Sequence, residues 1–273
     1  MGFKLGDVII DRLQFGYGAK ADGTPLYALT QLREASIDIT ADSTDITDKD
    51  GNLVYRKYSG KKGEFTATNA FLNLAIVESL SATGAEIATE EKAIVMPMIQ
   101  FVDAGATLDI TDYVEGSVVV NALSKQGAIG KAYKLGSQAS ETEFAVKHTE
   151  KALETPASDV LTPPTDSTEV RFIVKYKKKV KSGAKITNSG NKYPKSHELF
   201  LKALVVDICD KETLRAAIVH IPSFMPSPEF SLALKSGDGQ ELDYKGAMMV
   251  NTCSTDQELF SIYYIDEEET NIE

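Results

Sequence analysis

The stretch Ser36–Gly60, SIDITADSTDITDKDGNLVYRKYSG, decides the fold, because two alternating segments flank a strong turn signal. In SIDIT, Ile37 and Ile39 fall on one side of an extended chain and the polar residues fall on the other. The dipeptide Asp50-Gly51 is typical of a tight turn, and the apolar segment NLVY follows it. The stretch therefore predicts a strand, a polar loop with a turn, and a returning strand.

The aspartates of this stretch invite comparison with a calcium loop. An EF-hand loop needs oxygen ligands at its first, third and fifth positions, glycine at the sixth and glutamate at the twelfth. If Gly51 is the sixth residue, Asp48 and Asp50 fit, but Ile46 falls at the first position and Lys57 at the twelfth. An apolar side chain and a cation cannot serve as ligands, so we predict that no metal binds here.

The composition is that of a globular chain without disulfide staples. Its 273 residues are 42% hydrophobic and 25% charged, which is sufficient for a sizeable core. No apolar run reaches the length of a bilayer span, and Asp7 precedes any signal-peptide core, so we expect neither secretion nor a membrane partner. The two cysteines, Cys209 and Cys253, form no metal-type pair and suit a reducing cytoplasm.

The net charge of −11 argues against a surface built to bind phosphate backbones, because such binding depends on Lys and Arg. The exception is KYKKKVKSGAK at positions 175–185, in which lysines alternate imperfectly with apolar residues. This pattern is strand-like and ends in the turn signal SGAK. We interpret it as a solvated hairpin or as a contact with an acidic neighbour.

An alternation of period two dominates the rest of the chain and predicts a mainly β protein. The strand candidates are ASIDIT, NLVYRKY, GEFTAT, AIVMPMIQF, GSVVVNAL, KAYKL, TEFAVKH, EVRFIVKYKK, ELFLKALVVDI, LRAAIVHI, EFSLALKS and LFSIYYI. One segment has helical spacing and predicts an amphipathic helix over Ala70–Leu80, with Thr68 or Asn69 as N-cap and Gly84 just past its end. From about 103 to 168 we expect short strands and loops, ending in ETPASDVLTPPTDSTE as a surface connection.

Motifs that carry catalysis are missing from the sequence. It contains no G-x-S-x-G, P-loop, H-E-x-x-H or C-x-x-C pattern. The three histidines, His148, His197 and His220, have no partner at ligand or triad spacing, and His220 ends an apolar strand as a structural histidine would. We predict that the protein is not an enzyme and needs no cofactor, with a hydrolase built on scattered carboxylates as the weak alternative.

Two blocks of the sequence resemble the major tail tube proteins of long-tailed bacteriophages. The first is IDITADSTDITDKDGNLVYRKYSGKKGEFTATNAFLNLAIVESL, a strand, a Thr- and Asp-rich loop, a return strand and a helix. The second is YPKSHELFLKALVVDICDKETLRAAIVHIPSFMPSPEFSLALKSGDGQELDYKG, in which an acidic strand leads to a closing strand. Together they cover Ser36–Leu80 and Tyr193–Gly246.

The resemblance implies a β-sandwich or incomplete β-barrel with one flanking helix. It implies a single tail-tube-like domain over residues 1–273, with an insertion or elaboration at about 103–168. Such proteins form hexameric rings that stack into the tail tube of the virion, assembled in the host cytoplasm, through which DNA passes transiently and without specificity. Their partners are further copies and other tail proteins, namely the terminator, the tip or baseplate and the tape measure. The alternatives are the tube of a contractile bacteriocin or secretion system and an Ig-like capsid decoration or adhesion module.

The resemblance also suggests roles for particular residues. The polar residues Asp38, Glu64 and Glu229 alternate with core residues and are candidates for an acidic lumen, which would repel DNA phosphates. The loop Thr40–Asn52 would contact a neighbouring subunit or ring; its acidic members are Asp42, Asp45, Asp48 and Asp50. Our own inference is that Lys177, Lys178 and Lys179 face such acidic loops across an interface.

Overall fold

The computed structural model describes residues 6–137, 139, 143–149, 158–164, 169–208, 212–232, 241–250 and 257–270. Strands account for 62% of the chain and helix for 4%, which confirms the predicted mainly β class. The chain folds into two compact units: unit 1 comprises residues 1–84 and 186–273, and unit 2 comprises residues 85–185. The stretch at about 103–168 lies within unit 2, and a single tail-tube-like domain over residues 1–273, with this stretch as an insertion or elaboration, stays a prediction.

Unit 1 is built on one antiparallel sheet. Its elements are β1 (Val8–Ala19), β2 (Pro25–Leu29), β3 (Leu32–Thr47), β4 (Leu53–Asn69), α1 (Leu74–Ser81), and, after unit 2, His197–Asp207, Leu214–Pro226, Leu242–Met248 and Ser261–Glu268. Unit 2 contains β5 (Ala85–Ile87), β6 (Ile94–Asp103), β7 (Leu108–Thr111), β8 (Val119–Leu123), β9 (Ile129–Gly136), β10 (Glu143–Thr149), β11 (Ser158–Thr162) and β12 (Arg171–Val180), together with β13 (Ala184–Ile186), whose last residue is the first of the second segment of unit 1. The last four strands of unit 1 are therefore β14 to β17.

The sheet of unit 1 has the order β2-β1-β14-β15-β16-β4-β3, with β17 paired to β15, and it is nearly closed like a barrel. Its inner face forms the core, in which Phe65, Leu199 and Phe224 are completely buried. The helix α1 adds Ile76 and Leu80 to the same core. Burying a large apolar side chain stabilises a fold by about 1.5–3 kcal/mol, so this cluster holds the sheet and the helix together.

The helix is shorter than its sequence prediction. It begins at Leu74, because the side chain of Asn73 caps it by accepting a hydrogen bond from the backbone of Ala75. Asn69, one of the two predicted N-caps, instead ends β4 and donates to the carbonyl of Phe71. The predicted start at Ala70 and the two predicted N-caps, Thr68 and Asn69, were therefore wrong, although the helix itself is confirmed.

The turn at Asp50-Gly51 is confirmed, but the loop before it is not a loop. Strand β3 continues to Thr47, and β3 and β4 remain paired from Thr40↔Lys62 to Thr47↔Leu53. Gly51 has a φ of 86°, which a glycine adopts at no steric cost. The segments NLVYRKY and GEFTAT, predicted as two strands, form the single strand β4.

Two other sequence predictions were wrong, and the strands β1, β2, β5, β7 and β13 were missed. EFSLALKS is not a strand over its described residues 229–232, because β15 ends at Pro226 and the Ser227 hydroxyl accepts a hydrogen bond from the backbone of Glu229. The predicted surface connection at 154–169 contains β11. Strand β1 was not predicted, because register shifts beside β14 interrupt its alternation.

Unit 2 is a second β structure with its own core. Seven strands follow the order β6-β12-β8-β9-β10-β11-β7, and β5 and β13 form a separate two-stranded ribbon. Phe144 and Phe172 are completely buried, with ring centroids 4.9 Å apart. Tyr113 donates a hydrogen bond to the buried carboxylate of Asp159, and burial of its ring raises the pKa of Tyr113 to about 12.

Candidate assembly surfaces

The paired ends of β3 and β4 project as a two-stranded arm, residues 40–62. Strand β16 pairs with β4 only from Gly63 to Asn69, so no other strand of the described chain lies beside the arm. All of its residues are exposed. A lone two-stranded hairpin is marginally stable in water, so an arm of this length is suited to being covered by another surface.

The arm exposes large apolar side chains that sequence reasoning did not assign to a site. These are Ile46, Leu53, Val54, Tyr55 and Tyr58, with 54–66% of their surface exposed. Ile46 lies directly opposite Tyr55 in the ladder, so their side chains form a cross-strand apolar pair. The sequence signal was the apolar run in NLVYRKY, which was interpreted only as a returning strand. Large apolar side chains exposed together on one segment, as these are on the two faces of the arm, indicate an interaction site.

The aspartates of the arm are largely engaged within it. Asp45 accepts two hydrogen bonds from the guanidinium of Arg56, at 2.6 and 2.8 Å, which lowers the pKa of the Asp45 carboxyl. Asp42 lies 3.6 Å from the ammonium of Lys62.

Asp48 organises the turn of the arm. It accepts hydrogen bonds from the side chain and backbone of Asn52 and from the backbone of Asp50, at 2.8–3.0 Å, and these bonds lower its pKa. Asp50 is exposed beside it. Asp42, Asp45 and Asp48 therefore have partners within the arm, and the hypothesis that Asp42, Asp45, Asp48 and Asp50 contact another subunit stays a prediction.

Two of the lumen candidates meet on the outer face of the sheet. Asp38 pairs directly with Glu64 in the β3–β4 ladder, while the neighbouring Phe65 points into the core. The next rows add the carboxylates of Glu34 and Asp243. We name the outward side chains Glu34, Asp38, Glu64, Thr66, Asp243 and Lys245 the acidic face. Since α1 packs on the core side, the helix and the acidic face lie on opposite sides of the sheet, as a lumen at this face requires.

Glu229 reaches the same face from outside the strands. Its carboxylate lies 3.2 Å from the ammonium of Lys245, which the β16–β4 ladder places opposite Thr66. Sequence reasoning expected Glu229 to alternate within a strand, and its segment is irregular instead. Opposed like charges such as Asp38 and Glu64 destabilise a sheet, so the acidic face does not serve stability.

The three predicted interface lysines do not share one side of β12. Lys177 and Lys179 are exposed, together with Lys175, because they alternate with the buried Val174 and Tyr176. Lys178 lies on the core side of the strand, half-buried, and its ammonium donates to the hydroxyl of Thr111 at 3.1 Å. Two of the three residues therefore belong to one surface, and their contact with acidic loops stays a prediction.

The core of unit 1 also contains a buried polar network that sequence reasoning missed. The hydroxyl of Tyr27 lies 2.5 Å from Nε2 of His197 and is hydrogen-bonded to the hydroxyl of Tyr244. Because Nδ1 of His197 lies 3.2 Å from the carbonyl of Lys195, which can only accept, Nδ1 holds the proton and Nε2 accepts. Burial lowers the pKa of His197 and raises those of both tyrosines. With its groups mutually satisfied, this network is structural.

His220 is the second histidine whose side chain lies within the described residues. His220 stacks on Phe200, with ring centroids 4.4 Å apart, and lies 3.7 Å from Glu198. The side chain of His148 and both cysteines lie outside the described residues. Within the described ranges no group of three or more His, Cys, Asp or Glu side chains could hold a metal ion, and no helix is long and apolar enough to cross a membrane.

Unit 1 thus combines a nearly closed sheet with an exposed two-stranded arm and an acidic outer face. Residues 7–262 match the model of the YomU/Tube protein family. The chain therefore belongs to the YomU/Tube protein family, and this membership makes it a phage tube-like structural protein. No curated protein matches the chain.

Proposed function

We propose that this protein is the subunit of a phage tail tube, in which hexameric rings stack around a channel for DNA. The family match over nearly the whole chain carries the proposal. The role is structural rather than enzymatic, and the protein is part of the virion tail after assembly in the host cytoplasm. The other tail proteins that end, cap or fill the tube, namely the terminator, the tip or baseplate and the tape measure, are its further partners.

Free strand edges support the formation of rings. Within the described part of the chain, β3 has a ladder partner only on its β4 side, and β17 only on its β15 side. An unpaired edge presents backbone donors and acceptors to any strand that can add to it, and closure of several sheets into one barrel removes such edges. Adjacent subunits can therefore join their sheets through the open edge of β3.

The acidic face supports a conduit. Among its six members the acidic face has four carboxylates, from Glu34, Asp38, Glu64 and Asp243, and one cation, Lys245. Such a surface repels phosphate, and DNA would move past it without being held. A basic surface would instead bind DNA through the release of counterions. The apolar side chains of the arm would be covered by a neighbouring ring, so the arm would serve in stacking.

Electron microscopy of the purified full chain tests the proposal. We expect rings with sixfold symmetry or tubes in which Asp38 and Glu64 face the channel. The double variant Asp38→Lys/Glu64→Lys should still assemble but should bind duplex DNA in a salt-dependent manner. The matched control, Asp109→Lys/Glu115→Lys, makes the same charge change in unit 2. A protein that stays monomeric at high concentration, or a tube with both carboxylates on its outside, would refute the proposal.

A further inference from the structure

The outer side of β6 and β12 in unit 2 combines exposed apolar residues with exposed lysines. We name this surface the lysine face and define it by Val95, Ile99, Phe101, Lys175, Lys177 and Lys179. The ladder places Ile99 opposite Lys175 and Val95 opposite Lys179. The three apolar side chains are 48–58% exposed, which is unusual for residues so close together on a sheet.

The cations of the lysine face are not neutralised within the described residues. Nearby lysines do have partners: Lys181 lies 2.8 Å from Glu90, and Lys185 lies 3.4 Å from Glu86. For Lys175, Lys177 and Lys179, the described part of the chain provides no carboxylate at ion-pair distance. The surface is thus open to a partner that brings negative charge.

The chemistry of the surface favours a protein partner over a nucleic acid. A nucleic acid would neutralise the lysines, but its phosphates would leave Val95 and Ile99 uncovered, and Phe101 alone makes no stacking platform. Pro97 lies in the middle of β6, and proline in an edge strand hinders the addition of another strand. The contact is therefore made by side chains on the face and not by backbone pairing at the edge.

Strand β17 of unit 1 has the complementary composition. Ile262, Tyr263 and Ile265 are 63%, 55% and 43% exposed, and the exposed Glu267 and Glu268 follow them. Two ion pairs fix the end of this segment against the sheet, with Asp266 3.1 Å from Arg215 and Glu269 2.8 Å from Lys202. β17 therefore presents apolar side chains and two exposed carboxylates from a fixed position.

The arm is a poorer match for the lysine face, although sequence reasoning suggested acidic loops as its partner. Its carboxylates Asp42 and Asp45 already pair with Lys62 and Arg56 of the arm itself. An exposed ion pair contributes only about 0–1 kcal/mol, so exchanging one such pair for another would add little to the free energy of the contact. β17 can bring Glu267 and Glu268 without such an exchange.

We propose that the lysine face of one copy of this protein binds β17 of a second copy. This inference rests on the proposed function, since a tube brings many copies together at a repeated contact. Two different surfaces meet in it, so the contact is heterologous, and such contacts generate rings when they close and filaments when they do not.

A charge exchange at the contact tests this inference. The variants Lys177→Glu and Glu267→Lys should each raise the protein concentration needed for assembly by about threefold to tenfold. The double variant, which restores opposite charges between copies, should return that concentration close to the wild-type value. Lys125→Glu is the matched control: it reverses an exposed lysine in a turn of unit 2 and should assemble as the wild type does.

Cross-linking gives a readout that does not depend on tubes. In a Cys209→Ser/Cys253→Ser background, a mixture of Lys177→Cys and Glu267→Cys copies should form a mixed dimer with a short bis-maleimide, and neither variant alone should do so. If the wild type forms no rings but the mixed dimer appears, the proposed function falls and the contact stands. If tubes form equally well with all charge variants and no mixed dimer appears, the contact is refuted. Loss of polyphosphate binding in Lys177→Glu, with assembly unchanged, would assign the face to an anionic polymer and would also overturn the inference.

Discussion

The buried network of Tyr27, His197 and Tyr244 should make two tyrosine substitutions strongly non-additive. Nε2 of His197 accepts from Tyr27 at 2.5 Å, and the Tyr244 hydroxyl lies 3.3 Å from the same nitrogen. In Tyr27→Phe the Tyr244 hydroxyl can donate to Nε2, and in Tyr244→Phe the Tyr27 hydroxyl still does. Each single variant should therefore lose one hydrogen bond, about 0.5–1.5 kcal/mol of the free energy of unfolding.

The double variant leaves no donor for a nitrogen that is buried in the core, since His197 is only 4% exposed. An unsatisfied buried acceptor costs about 1–3 kcal/mol in addition, so the double variant should exceed the sum of the single variants by about that amount. Urea titrations of all four proteins, followed by circular dichroism, measure this difference. Additivity within about 0.5 kcal/mol would show that the hydroxyls do not share Nε2 and would refute the assigned proton positions.

Three further predictions concern pH, packing and the arm. Because burial lowers the pKa of His197 in the folded state below its ordinary 6.5, the unfolded chain binds the proton first as the pH falls. The contribution of the neutral His197 side chain to the free energy of unfolding is therefore complete above about pH 6.5 and is lost as the pH falls below it. His197→Gln should flatten the decline in the urea midpoint between about pH 7.5 and 5.5. Gly246→Ala would place a methyl group 2.3 Å from a backbone carbonyl oxygen and should cost at least about 1–3 kcal/mol in urea titration, whereas Gly190→Ala, with no atom within 4 Å, should be near neutral. Ile46→Ser/Tyr55→Ser should leave the urea midpoint almost unchanged but should prevent stacking of rings in electron micrographs, and normal tubes from this variant would contradict a stacking role for the arm.

The features that were predicted correctly depend on residues that are close together in the sequence. The alternation in SIDIT fixes which side of β3 carries Asp38, and the Asp50-Gly51 turn fixes where the hairpin reverses. Both depend on backbone geometry within a few residues, so they survive any tertiary context. The lysine run was likewise predicted as extended, and Lys177 lies in a strand.

The features that were missed depend on contacts between distant residues. Tyr27 and His197 are 170 positions apart, and no local pattern relates them. The start of the helix depends on which asparagine caps it. Asn73 is the N-cap, because Asn69 belongs to β4, where it pairs with Leu242. Lys178 differs from its neighbours only because the structure places Thr111 within its reach.

The two units treat their exposed strand edges differently, and this contrast bears on assembly. The edge strand β6 of unit 2 contains Pro97, a residue that natural sheets use to prevent another strand from adding. The edge strand β3 of unit 1 runs for 16 residues with neither proline nor lysine, although edge strands of that length are otherwise prone to unwanted pairing. A chain that protects one edge and leaves the other open favours backbone pairing between copies at unit 1 and side-chain contacts at unit 2. Ser36→Pro in β3 should therefore impair the formation of rings. Pro97→Ser in β6 should leave ring formation intact and permit additional association of copies through the edge of β6.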